Sequence, residues 1–150
     1  MATWTQALPH FPVTELRCKG THQLVLDIRF AGALVALRVD WGRPMYMNSV
    51  CRAPSHNAKV GGHPRSLHLT ENPVHPCDGC MAGDVRWYDW EEEDKLEFCR
   101  LAWKKGWSLG LNDQFCHIDR RVDIGLPQAI FDYAGGWHGS ITPADIRGTS

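Results

Sequence analysis

No stretch of this 150-residue sequence stays apolar for long. The longest such run, Phe30 to Leu37, is eight residues between Arg29 and Arg38, far short of the ~20 that a bilayer crossing needs. Membrane insertion is therefore not expected. A surplus of charge of one sign is also missing, because 16 Lys and Arg face 17 Asp and Glu and the basic residues are scattered. A nucleic-acid footprint or a membrane-seeking surface needs them clustered, so neither partner is expected. Residues 1–11 hold no Lys or Arg and no apolar segment of the kind a secretory signal uses. Synthesis in a cytosol is the expectation. There is no internal repeat, no low-complexity tract and no dividing linker. A chain of this length buries about 68–70% of its unfolded surface, so one domain over 1–150 is expected, with no need of disulfide staples.

What is present is an uneven mix of helical and extended patterns. Pro9 and Pro12 break an irregular arm over 1–23, leaving one turn around Thr14 to Arg17. Asp27 can cap a helix whose apolar positions Ile28, Ala31, Leu34, Val35 and Trp41 follow helical spacing, and Gly42 stops it. Met45 to Val50 reads as a strand, and Cys51 to Pro76 as a long polar stretch of the kind that is usually functional. Val85 to Tyr88 reads as a strand before a second helix. Asp89 and Glu92 have capping-box spacing there, with Leu96, Cys99 and Trp103 facing inward and Lys104 and Lys105 at the end. Trp107 to Leu109 and Phe115 to Ile118 suggest a hairpin. The expected class is α+β, a small and mainly antiparallel sheet with packed helices.

Eight histidines and six cysteines carry the candidate chemistry. In a reducing compartment the cysteines read as buried thiols or metal ligands. Cys51, Cys99 and Cys116 have apolar neighbours and are expected in the core. Cys77 and Cys80 form a lone Cys-x-x-Cys, which leaves loop thiols, a disulfide, a redox pair, or a second zinc site completed by His75 and Cys18 all open. Ser66-Leu67-His68, Ala82-Gly83-Asp84 and His117-Ile118-Asp119 offer two imidazoles and one carboxylate. Three such ligands leave zinc an open position for water, which the metal activates while it polarises a carbonyl.

Those segments occur with Asn48-Ser49-Val50-Cys51-Arg52, Asn57, Val60-Gly61-Gly62 and Phe115-Cys116 in an order that resembles the zinc D-alanyl-D-alanine carboxypeptidase family. That family includes murein peptidases and bacteriophage endolysins. The likeness runs over about residues 11–121, opening at Phe11-Pro12-Val13-Thr14-Glu15-Leu16, and is greatest to small phage-encoded members. The resemblance implies a zinc site on the sheet and adjoining loops, with His68, Asp84 and His117 as ligands and Ser66 ordering the turn at His68. It implies that Arg52 faces the substrate carbonyl, where a fixed guanidinium would stabilise negative charge.

Asp84 lies sixteen positions after His68, a wider spacing than is usual in the family. Thr70 to Cys80 is therefore read as an insertion, and His75 stays open as a rival ligand. The acid that many relatives carry three residues before the last histidine is Gln114 here, which cannot accept a proton. Asp119 is the preferred base because strand alternation puts it on the His117 face, with orientation of His117 as its other role. Asp113 is the runner-up. Trp87, Tyr88 and Trp90 adjoin the site and either line a substrate groove or belong to the core, while Trp41, Trp103 and Trp107 are expected in the core. Residues 122–150 form a tail with no readable chemistry.

The function implied is a zinc-dependent peptidase that cuts an amide bond in the peptidoglycan stem peptide or cross-link, as an endolysin or virion component. It would act at the bacterial cell wall, reached through a holin-like pore or with a particle. The alternative is an inactive phage tail or assembly protein that keeps the fold, with phage structural proteins as partners. A redox or zinc-ribbon module built on Cys77 and Cys80 would leave the Arg52, His68 and His117 segments unexplained.

Overall fold

A computed structural model describes residues 3–148. Asp27 lies in extended backbone and accepts from Arg29 N at 3.0 Å, so α2 begins at Ile28 and runs to Trp41. Gly42 ends it in the left-handed conformation that a residue with a Cβ rarely adopts, giving its N–H to Arg38 O. Ala31, Leu34 and Trp41 are buried as expected, but Phe30 and Leu37 complete the buried face in place of Ile28 and Val35. Phe30, Leu34, Leu37 and Trp41 step by four, three and four residues into the core, while Ile28 is 45% exposed and Val35 only half-buried. Each such fully buried large side chain contributes roughly 1.5–3 kcal/mol.

Apart from the helix over Glu92–Lys104, the other elements are short. They are β1 (Thr3–Trp4), α1 (Val13–Leu16), β2 (Leu26–Asp27), β3 (Met47–Ser49), α3 (Pro54–Lys59), β4 (Ala82–Arg86), α4 (Glu92–Lys104), β5 (Ser108–Leu111), β6 (Phe115–Asp119), β7 (Ile130–Asp132) and α5 (Pro143–Arg147). The main sheet has the order β3-β4-β6-β5-β7, antiparallel except where β7 joins β5 in parallel. This is the expected α+β arrangement, a mainly antiparallel sheet with packed helices.

Several elements differ from the sequence reading: the strand expected at Met45 to Val50 is only Met47–Ser49, that at Trp107 to Leu109 is Ser108–Leu111, and α3 lies within the polar stretch. The strand expected at Val85 to Tyr88 lies at Ala82–Arg86, because those five residues pair with Phe115–Asp119. Asp89 does not cap α4: Trp90 N bonds Trp87 O, a turn that uses up this segment, and Glu91 becomes the N-cap. The tail also adds to the sheet, since β7 pairs Leu109 with Ile130 and Leu111 with Asp132.

Strand alternation then sorts the residues of the sheet. Val85, Cys116 and Ile118 are fully buried in one connected core with Phe30, Leu34, Phe98 and Ala102 of the two long helices. Asp84, His117 and Asp119 alternate with them, and Asp84 pairs directly with His117 across β4 and β6. The opposite face of the sheet thus collects the polar side chains.

Candidate metal centre

His68 is held by a local turn and a long-range pairing. Ser66 Oγ accepts from His68 N at 3.1 Å, and Arg52 N donates to His68 O at 2.8 Å while Thr70 N returns a bond to Arg52 O. Met81 N donates to Leu67 O, which ties this loop to the start of β4. The eleven residues from Thr70 to Cys80 therefore bulge out without displacing Asp84, whose position is set by its pairing with His117.

Asp84 Oδ1 lies 3.2 Å from His68 Nε2 and 3.1 Å from His117 Nδ1. The three ligand atoms lie within 4.8 Å of one another, and all three residues are buried. Among the described residues this is the one group of His, Cys, Asp and Glu that could hold a metal ion. His75 borders the same cleft without joining it.

The remote nitrogens show why the group suits a cation. His68 Nδ1 is 2.8 Å from Val50 O, an acceptor only, so this nitrogen carries the proton. His117 Nε2 is 2.8 Å from Asp119 Oδ2 and likewise donates. In the neutral imidazoles, the two nitrogens facing Asp84 therefore hold lone pairs. Three electron-rich atoms pointing at one buried space repel each other unless a cation or extra protons lie between them. Burial pulls the His117 imidazole down, but Asp119 and Asp84 outweigh it and raise it to about 9. Burial pushes the Asp84 carboxyl up, yet His68 and His117 hold it well below the usual carboxylate range. Two imidazoles and a carboxylate, with both imidazoles oriented from behind, fit zinc.

Asp119 is buried and fully occupied. Besides His117 it accepts from Arg121 N at 3.1 Å, Arg121 Nε at 2.9 Å and Arg121 Nη2 at 2.7 Å. Burial raises its carboxyl, but Arg121 and His117 keep it well below the usual range. The Arg52 charge acts on both His68 and Tyr133, and its Nε is buried with no partner. Asp113 sits in the β5–β6 turn and pairs with the exposed His138 at 2.8 Å. Trp87 is fully buried, its indole N–H given to Asn112 O, and Tyr88 is 55% exposed. Neither borders the cleft of about 520 Å³ beside His117, and nor does Asp113.

All six cysteines are free thiols. Cys80 is buried against Val50 O and Ala82 O, and burial pushes Cys77 up to about 11. A metal site at this pair would need thiolates, which such surroundings disfavour. Cys51, Cys99 and Cys116 are buried as expected, and so are Trp41 and Trp107; Trp103 is only partly covered.

Sequence reasoning missed Arg121, Phe131 and Tyr133, which border the cleft with His117 and Ser66. The alternating aromatics of Phe131-Asp132-Tyr133 ahead of two glycines are a strand signal that could have indicated them.

The profile of one family, described as Peptidase M15, matches residues 9–119, well over half of the chain. No curated protein and no solved structure matches it.

Proposed function

The chain belongs to the peptidase M15 family, zinc-dependent metallopeptidases, and from that premise we propose that it hydrolyses an amide bond in the stem peptide or cross-link of peptidoglycan. The observation that carries this reading is the convergence of His68 Nε2, Asp84 Oδ1 and His117 Nδ1, with Val50 O and Asp119 fixing the far side of each imidazole. Zinc bound there would lower the pKa of water and polarise a carbonyl.

The protein's own groups supply the rest. Arg52 brings a fixed positive charge beside His68 and Tyr133. Its role is to receive the negative charge that develops on the substrate carbonyl oxygen. Ser66 orders the turn that presents His68. Asp119, with four donors on its two oxygens, orients His117 and keeps its tautomer rather than accepting a proton. An endolysin or virion-associated protein, acting at the cell wall, is the setting that fits this chemistry.

One observation favours a second reading, a phage structural protein that keeps the site without turnover. Both carboxylates best placed by sequence to act as base are already engaged, Asp119 by Arg121 and His117 and Asp113 by His138. Digestion of purified peptidoglycan with and without a chelator, followed by mass analysis of the fragments, separates the two. New amine and carboxyl ends that vanish with chelator support the peptidase. In the same assay Arg52→Ala should keep its zinc and lose about 100-fold or more in rate. Intact peptidoglycan after incubation with zinc-loaded wild-type protein would support the structural reading.

A further inference from the structure

The residues after the family match reach the centre of the site. Tyr133 stacks on the His117 imidazole with ring centroids 4.9 Å apart and planes at 29°. Its backbone N–H bonds Leu111 O, which continues the β5–β7 pairing and fixes where the ring lands. Gly110 makes the approach possible. It pairs with His117 on one side and Phe131 on the other, and a Cβ there would lie 2.8 Å from Tyr133 Cδ2 and 3.1 Å from His117 Cβ. Phe115 meets the Tyr133 ring edge-on at 5.3 Å, so the phenol is held from two sides.

The hydroxyl end has a distinct electrostatic setting. A tyrosine phenol carries its proton at neutral pH and can donate it in a hydrogen bond, and Arg52 is a charged neighbour of the Tyr133 hydroxyl. Guanidinium groups have donors only. Whatever bond Arg52 makes to the phenol oxygen therefore leaves the phenol hydrogen for another acceptor. Tyr133 also borders the cleft that His117 and Ser66 line.

We propose that the Tyr133 hydroxyl is a second donor to the substrate carbonyl oxygen, working beside Arg52; this rests on the peptidase reading above. The water oxygen bonds to the scissile carbonyl carbon and the C=O pair moves onto the carbonyl oxygen. When that pair returns, the C–N bond breaks and the amine leaves with a proton that came from the water. Tyr133 gives up no proton. It contributes a hydrogen bond that strengthens as the oxygen becomes negative, and Arg52 polarises that bond further. The chemistry recognised is the tetrahedral oxyanion of an amide, so the interaction belongs to the transition state more than to the bound substrate.

Tyr133→Phe tests this, because phenylalanine keeps the stack on His117 and loses only the hydroxyl. The zinc-loaded full chain is assayed on soluble muropeptides prepared from purified peptidoglycan. The expected result is a fall in kcat of about 100-fold with KM, zinc content and melting temperature unchanged. A rate equal to wild type overturns the inference, as does a raised KM at constant kcat. A slow variant restored by excess zinc also overturns it, because the hydroxyl would then be acting on metal binding rather than on the substrate oxygen. An inactive wild-type protein sinks the peptidase reading and this inference together, whereas an active wild type with an equally active Tyr133→Phe form sinks this inference alone.

Discussion

The molecule builds the same clamp twice, and only one copy touches the face that carries the proposed metal site. In Asp27-Ile28-Arg29, Arg29 N and Nε each bond Asp27 Oδ1 at 3.0 Å and Arg29 Nη2 bonds Oδ2 at 2.8 Å. In Asp119-Arg120-Arg121, Arg121 N and Nε bond Asp119 Oδ1 at 3.1 and 2.9 Å and Arg121 Nη2 bonds Oδ2 at 2.7 Å. The carboxylate is buried in both. What differs is the fourth donor. Asp27 takes Asp78 N at 3.0 Å, which fixes the loop before β4, whereas Asp119 takes His117 Nε2 at 2.8 Å. An arginine-locked carboxylate is thus a general device for holding one further N–H still, and its role follows from which N–H it holds. At Asp27 the result is a capped helix and a tethered loop, and at Asp119 it is an imidazole aimed at the proposed metal site.

The comparison can be broken from either side. The largest effect is expected where the fourth donor is itself a proposed ligand. His117→Ala should remove most of the bound zinc, since two ligands hold zinc far less tightly than three, and metal analysis of the purified variant reads this directly. Next comes Asp119→Asn, which unsettles the imidazole without removing a ligand. Zinc affinity should fall about 10- to 100-fold, with the rate recovered in excess zinc. A rate loss with zinc retained would instead make Asp119 the base.

Asp27→Asn should leave zinc affinity unchanged and lower unfolding stability by about 1–2 kcal/mol in a denaturant titration, because a cap and a loop tether are weakened. The smallest effect is on pH dependence. Burial raises the Asp27 carboxyl, but Arg29 and Asp78 N outweigh it and hold it below the usual value. A depressed carboxylate stabilises the fold above its unfolded pKa of about 3.9 and loses that contribution as pH falls through the folded value. Asp27→Asn should accordingly flatten the acid limb of a plot of melting temperature against pH, leaving the neutral region parallel to wild type.

The two clamps also show what the sequence made readable. Local features were legible: the Asp27 cap, the Gly42 stop and the Ser66 turn at His68 all act within a few residues, and β5 and β6 are a hairpin. The triad was singled out by the resemblance of its short segments to a known family, and the insertion at Thr70 to Cys80 did not hide Asp84, because cross-strand register rather than chain spacing places it against His117. What depends on distant pairing was not legible. Tyr133 reaches His117 only because a three-residue strand adds in parallel to β5 and Gly110 clears its path. The edges of the buried face of α2 were not legible either: Ala31, Leu34 and Trp41 are buried as expected, but Ile28 and Val35 fit helical spacing as well as the buried Phe30 and Leu37 do. Proximity in sequence also misled, since Trp87 is three residues beyond Asp84 yet turns into the core.

The most direct test of the account is X-ray absorption at the zinc edge of the zinc-loaded protein. The account predicts a first shell of nitrogen and oxygen only, at about 2.0–2.2 Å, with the outer scattering of two imidazoles. A sulfur shell at about 2.3 Å would contradict it, by placing the metal on cysteine thiolates instead of His68, Asp84 and His117.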